Sequence, residues 1–171
     1  APHGRGGGDG PRLTGTAAGD PDVSPMDPLE VVAYVSTARP GLGEPEVATI
    51  LTTARAFNRR HRITGCLVYD GGRFAQWLEG PAAAVEDLLR RIDRDPRHEG
   101  LRLVLVRPAD RRAFGDWSMA GVLAETEGPP VLPPLLDALL ADGEPQEESV
   151  LPFFHVCAEL ATDRAAPVRS R

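Results

Sequence analysis

Three polar side chains set among apolar residues, Tyr34, Asn58 and Gln76, are where this sequence could do chemistry. Tyr34 alternates with Val32 and Ser36, and Gln76 alternates with Phe74 and Leu78. In an extended chain every second residue shares a face. If the two segments are neighbours in one sheet, a phenol and a carboxamide meet on the same side of it. The phenol can give up a proton and, to a strong oxidant, an electron. The carboxamide has a donor end and an acceptor end that trade places when it turns. Both need partners once buried, because an unpaired polar group costs ~1–3 kcal/mol. Such a pair, taken alone, more often simply bonds itself and nearby backbone. Asn58 adds a third polar group aimed at the same space, with Ile50 and Ile92 as candidate walls. Convergent polar groups between aliphatic walls describe a ligand site, although each isoleucine by itself reads as plain core.

The elements that must position these residues are legible from periodicity. Leu29 to Ser36 is a β-branched, apolar run and reads as a strand. Thr37 to Pro45 holds two prolines and two glycines and reads as a loop. Val47, Ile50, Leu51, Ala54 and Phe57 recur at helical spacing, with Asn58 on the edge of the stripe. The basic run Arg59 to Arg62 closes that helix, where positive charge suits the dipole. Ile63 to Tyr69 and Arg73 to Leu78 are two strands joined by the tight turn Asp70-Gly71-Gly72. Gly80-Pro81 starts a second helix with the stripe Val85, Leu88, Leu89 and Ile92, and Asp95-Pro96 stops it. Leu101 to Val106 is a fourth strand, and Trp117 to Val122 a short fifth one with Trp117 and Met119 on one face. This order predicts an α+β, ferredoxin-like βαββαββ sheet with both helices on one face. The first and third strands are expected side by side and parallel in mid-sheet. Val31, Ala33, Val35, Ala75 and Trp77 then share the opposite face. Two C-terminal helices, one over Leu132, Leu135, Leu136 and Leu139 and one over Phe153, Val156, Cys157 and Leu160, are the expected cover for it.

Composition narrows the function classes. Residues 1–28 read as a disordered extension, because the stretch to Pro25 has almost no large apolar residue with which to offset chain entropy. Residues 29–124 then form the main domain, 125–163 a helical cap and 164–171 a flexible tail. A formal net charge of −6 argues against a protein that tracks nucleic-acid phosphates. Cys66 and Cys157 stand apart without neighbouring ligands, which fits buried reduced thiols and neither a zinc site nor a disulfide framework. No apolar run approaches the ~20 residues needed to cross a bilayer. These features lead us to expect a soluble, cytoplasmic protein. No phosphate-binding glycine loop, dinucleotide fingerprint or zinc-protease motif occurs, so motifs give little support to an enzyme. His61 and His98 read as solvated, and Arg91, Arg94 and Arg97 read by default as a solvated helix face, with contact to a phosphate group as the alternative.

Taken together, the runs Ala33-Tyr34-Val35-Ser36, Phe57-Asn58, Ile63-Thr64-Gly65, Phe74-Ala75-Gln76-Trp77-Leu78-Glu79-Gly80, Asp95-Pro96-Arg97-His98 and Trp117-Ser118-Met119 resemble the BLUF family of bacterial blue-light sensors that use FAD. The resemblance runs in order from about Leu29 to Leu123. It implies that Tyr34 is the redox-active tyrosine, that Gln76 bridges it to the flavin, and that Asn58 holds the pyrimidine edge. Ile50 and Ile92 would sandwich the ring system. Arg91, Asp95 and His98 would lie near the ring edge and the ribityl-phosphate part, while Trp117 and Met119 would occupy the light-responsive last strand. Phe57 departs from the pattern, which carries His or Asn there, though a phenyl ring can still pack on a flavin. The implied cofactor is FAD, with FMN or riboflavin as substitutes. The implied function is light sensing without turnover, passed on to a downstream protein or through a change of homo-oligomer. A flavin-dependent oxidoreductase and a ligand-free interaction module on the same fold are the alternatives.

Overall fold

The computed structural model describes residues 28–115, 117–123, 136, 137, 139 and 147–165, excepting the side chains of 122, 123, 147, 158 and 160–165. The elements in chain order are β1 (Leu29–Ala38), α1 (Glu44–Arg60), β2 (Thr64–Tyr69), β3 (Arg73–Pro81), α2 (Ala82–Asp93), β4 (His98–Ala109), β5 (Ala120–Leu123) and α3 (Glu147–Ala165). The N-terminal extension, the leucines at 132 and 135, the side chain of Leu160 and the tail beyond 165 lie outside the described residues. Among the described residues no helix is long and apolar enough to cross a membrane.

The five strands form one sheet in the order β4-β1-β3-β2-β5. This is the ferredoxin-like arrangement, with β1 and β3 adjacent at its centre. The expected direction was wrong, however: β1 pairs with β3 antiparallel, in a register that sets Tyr34 opposite Gln76 and Val32 opposite Leu78. The reason is topological. A helical crossover returns β2 parallel to β1, and the tight turn reverses the chain so that β3 slots between them in the opposite sense. The turn is pinned by Asp70, whose Oδ1 accepts the backbone N–H of Gly72 at 3.2 Å and of Arg73 at 2.7 Å. β5 adds to the outer edge of β2 in the parallel sense.

Several boundaries also differ from the periodicity reading. β3 continues through Gly80 and Pro81, and α2 starts only at Ala82. β4 starts at His98 and ends at Ala109, well beyond its apolar run. α3 begins at Glu147, although Pro152 lies inside it.

Alternation along the strands builds two cores, one per face. On one face, Val32, Tyr34, Leu67, Tyr69, Phe74 and Leu78 meet Val47 and Leu51 of α1 and Val85 and Leu88 of α2. On the other, Val31, Ala33, Val35, Ala75 and Trp77 are covered by Leu136, Leu139, Val150, Phe153, Phe154 and Cys157. Cys66 and Cys157 are both free thiols in this second core. Burial raises both, Cys66 with a further push from Cys157, and brings Cys157 to about 12. Two glycines are dictated by close approach. A Cβ on Gly65 would lie 1.9 Å from the Trp77 carbonyl oxygen, and one on Gly121 would lie 2.6 Å from Leu51 Cδ1. β2 can therefore press against β3, and β5 against α1, only where no side chain intervenes.

Candidate functional site

On the first of these faces the amphipathic stripes of α1 and α2 do not close. Ile50, Ala54 and Phe57 of α1 and Ile92 of α2 are only partly buried. They border a cavity of about 240 Å³ between the helices and the sheet. Tyr34, Asn58, Gln76, Arg91, Asp95 and His98 line it as well, so nine of the eleven residues singled out from sequence converge there. Leu67, Phe74 and Leu88 complete the apolar lining and were not anticipated as site residues, nor was Thr53, while Arg97 reads from sequence chiefly as an exposed flank. The signal of the three apolar residues, one apolar face of a strand or helix, cannot be told from ordinary core.

The sheet sets the central geometry. Because Tyr34 and Gln76 are register partners, the phenol donates to Gln76 Oε1 at 2.5 Å. Gln76 Nε2 in turn donates to Met119 Sδ at 3.5 Å, which fixes the way the amide points. Burial, with a smaller push from the negative charge of Asp95, raises the Tyr34 phenol above its ordinary range and holds it protonated. Asn58 is wholly buried, and its Nδ2 donates to the Ser118 carbonyl at 2.8 Å. Among the described residues its Oδ1 has no hydrogen-bond partner, and neither has Nδ1 of His98.

His98 is not the solvated loop residue expected. It opens β4, half-buried, its Nε2 sits 2.7 Å from the Ile92 carbonyl, and its ring stacks toward Tyr34. His61 is also half-buried, stacked on Phe57 at 3.9 Å. On the Phe57 ring the Arg91 guanidinium sits 5.0 Å from the centroid, a cation–π contact. Asp95 is bound by Arg97, whose hydrogen bonds hold the carboxyl below its ordinary range.

Trp117 and Met119 separate. Both precede β5, so strict alternation does not govern them. Met119 is buried in the cavity-side core, touching Gln76 but outside the lining, and Trp117 packs against the opposite core. Their shared face, expected from sequence, is therefore corrected. Two further residues were missed. Arg55 donates to the Met119 carbonyl at 3.0 Å. Glu79, buried on the far face of β3, accepts backbone N–H groups of the β4–β5 connection. A carboxylate alternating with Ala75 and Trp77 on an apolar face was the available signal for Glu79.

An apolar slot with a buried hydrogen-bonded phenol and carboxamide along one wall defines a domain that grips a planar ring. Its volume lies just under the ~300–1,000 Å³ usual for small-molecule sites, which suits a ring system better than a whole dinucleotide. Asn58 Oδ1 and His98 Nδ1, buried atoms of two lining residues and without a partner among the described residues, are available for polar contacts, so the residues fit a flavin. Comparison with known proteins agrees. The family model for sensors of blue light using FAD matches residues 29–120. The beta subunit of the photoactivated adenylate cyclase of Euglena gracilis is 35% identical over 112 residues, 65% of this chain but 13% of that protein. This chain therefore spans only a small part of that relative. Among solved structures, the BLUF protein BlrB in its dark state superposes with a TM-score of 0.67 at 32% identity, covering 79% of this chain and 99% of that one. BlsA in its photo-activated state superposes with a TM-score of 0.62 at 25% identity, over 78% of this chain and 94% of that one. The chain belongs to the BLUF family, and its matched unit is a flavin-binding blue-light sensor.

Proposed function

We propose that the protein binds FAD with its ring system in the cavity and its tail outside, and that light moves a proton and then the Gln76 amide, with Tyr34 as the source of both electron and proton. The observation that carries this reading is the Tyr34–Gln76 hydrogen bond of 2.5 Å on the cavity wall. When bound, a flavin supplies blue absorption and a strongly oxidising excited state. Asn58 Oδ1 would accept from the imide N–H of the ring, Ile50 and Ile92 would pack on its faces, and Phe57 would flank it. Arg91 and Arg97 would face the phosphate-bearing tail, with His98 and Asp95 between ring and tail. Enclosing a tricyclic ring removes ~300 Å² of apolar surface, worth ~7 kcal/mol before association costs.

Burial keeps Tyr34 neutral in the dark, so its proton is present when needed. Loss of an electron, for which the bound flavin would be the oxidant, turns a phenol into a strong acid whose proton Gln76 Oε1 is placed to receive. Return of both to Tyr34 would restore a neutral phenol and a neutral amide, with the amide left turned. Rotation of the amide would then present Nε2 to Tyr34 and Oε1 to Met119. A thioether sulfur accepts but does not donate, so the rotated amide loses its hold on Met119. The segment carrying Met119 leads directly into β5, and α3 packs behind that side of the sheet. Output to an effector protein or a second copy of the chain would leave by this route, and Trp117 would report on it from the far side. The cyclase named above is one relative in which such a unit is joined to an effector.

The test is an absorption spectrum of the protein loaded with FAD, before and during blue illumination, with the released flavin identified by mass. A yellow protein whose bands move to the red and return in darkness supports the proposal. A protein that stays colourless with FAD added, or shows no shift, defeats it.

A further inference from the structure

Glu79 is 1% exposed and lies three residues beyond Gln76, on the opposite face of β3. Its Oε1 accepts from Thr64 Oγ1 at 2.9 Å and from the Phe114 N–H at 2.7 Å. Its Oε2 accepts from the Ala113 N–H at 2.8 Å and from Trp77 Nε1 at 3.2 Å. Arg112 reinforces the same corner. It donates from Nη1 to Thr64 Oγ1 and the Glu79 carbonyl, each at 2.8 Å, and from Nη2 to the Arg62 carbonyl at 2.5 Å. The start of the β4–β5 connection is thus tied to β2 and β3 through a buried carboxylate whose two oxygens are fully used.

The other end of the connection is held from the cavity side, by Asn58 on the Ser118 carbonyl, Arg55 on the Met119 carbonyl and Gln76 on the Met119 sulfur. At the anchored end, Phe114 packs edge-on to Trp77 and against His155 of α3. The connection therefore crosses from one core to the other, with one end fixed and the other bonded to the residue whose amide is proposed to turn.

We infer that Glu79 is a positioning residue of the light response: it anchors the β4–β5 connection, so that release at Met119 becomes a displacement of β5 and α3. The inference rests on the proposed photochemistry. A strap fixed at one end transmits what happens at the other, and a strap loose at both ends absorbs it. An amide in place of the carboxylate turns two of the four acceptor lobes into N–H groups that face N–H and O–H donors, so Glu79→Gln frees the anchored end without changing its size.

The test compares the flavin-loaded full chain with Glu79→Gln and Arg112→Gln, measuring the red shift and, by hydrogen exchange, the light-minus-dark difference in β5 and α3. A merely structural role would raise exchange equally in light and dark and leave that difference unchanged. We expect both variants to keep the red shift and the exchange difference to shrink by about threefold in Glu79→Gln, less in Arg112→Gln. A full wild-type difference in Glu79→Gln overturns the inference. If that variant does not fold, an undiminished difference in Arg112→Gln overturns it instead. Absence of a red shift in the unaltered protein would defeat the photochemical reading, and this inference with it.

Discussion

The amide nitrogen of Gln76 lies 3.5 Å from the Met119 sulfur while its oxygen accepts from Tyr34 at 2.5 Å. One side chain thus joins the proton donor on β1 to the segment that enters β5. The donor and acceptor ends of the amide are matched to these two partners in one orientation only. Turning it satisfies one side at the expense of the other.

Replacing Met119 with Leu removes the sulfur acceptor and nearly conserves volume, so the fold should lose less than about 1.5 kcal/mol. The dark orientation of Gln76 loses one weak bond that the turned orientation does not have. We expect dark recovery about two- to fivefold slower, equivalent to about 0.5–1 kcal/mol. Flash-induced absorption decay checks this, and an unchanged decay would contradict the Gln76–Met119 link.

Asn58→Ala deletes both the unpartnered Oδ1 and the bond to Ser118. Loss of one buried polar contact to the ligand should weaken flavin binding by about 10- to 100-fold, read by fluorescence titration with free flavin. Unchanged affinity would mean that Oδ1 does not face the ring.

Stability should fall on the alkaline side. Burial raises Tyr34, Cys66 and Cys157 from ordinary values of 10.0, 9.0 and 9.0, so the folded chain keeps protons that the unfolded chain releases. The contribution is fully present below about pH 9 and is lost as pH climbs beyond. Asp95 acts oppositely: held below its ordinary 3.8 by Arg97, it favours the folded state above that value and ceases to do so on acidification. Tyr34→Phe should flatten the decline above pH 10 in denaturant midpoints. Superposable curves for the two proteins would contradict a buried, protonated Tyr34.

Gly65→Ala places a methyl group 1.9 Å from a backbone oxygen that cannot swing away. We expect a loss of about 3 kcal/mol or more, or failure to fold, because relief requires parting β2 from β3. A melting temperature within a degree or two of wild type would show that the strands are not so closely paired.

Much of this is legible in the sequence. Alternation assigned Tyr34 and Gln76 to one face and Ala33 and Trp77 to the other, because side-chain period is a local property of extended backbone. Strand direction is not local, and the antiparallel β1–β3 pairing follows from the crossover and the turn. Trp117 and Met119 were given a common face by carrying the strand period three residues too far. Glu79 stands in the sequence as one carboxylate at the end of the mostly apolar run Phe74 to Leu78. Its partners are backbone N–H groups of Ala113 and Phe114, and no residue type announces those. The half-buried state of His98 was hidden for a similar reason, since β4 begins in the polar stretch before its apolar run.

The most direct test of the central claim is the light-minus-dark spectrum of Tyr34→Phe loaded with flavin. Phenylalanine fills the same space but has no hydroxyl to give to Gln76 and no easily lost electron. The account predicts a yellow protein with no red shift under blue light. A normal, reversible shift in that variant would contradict it.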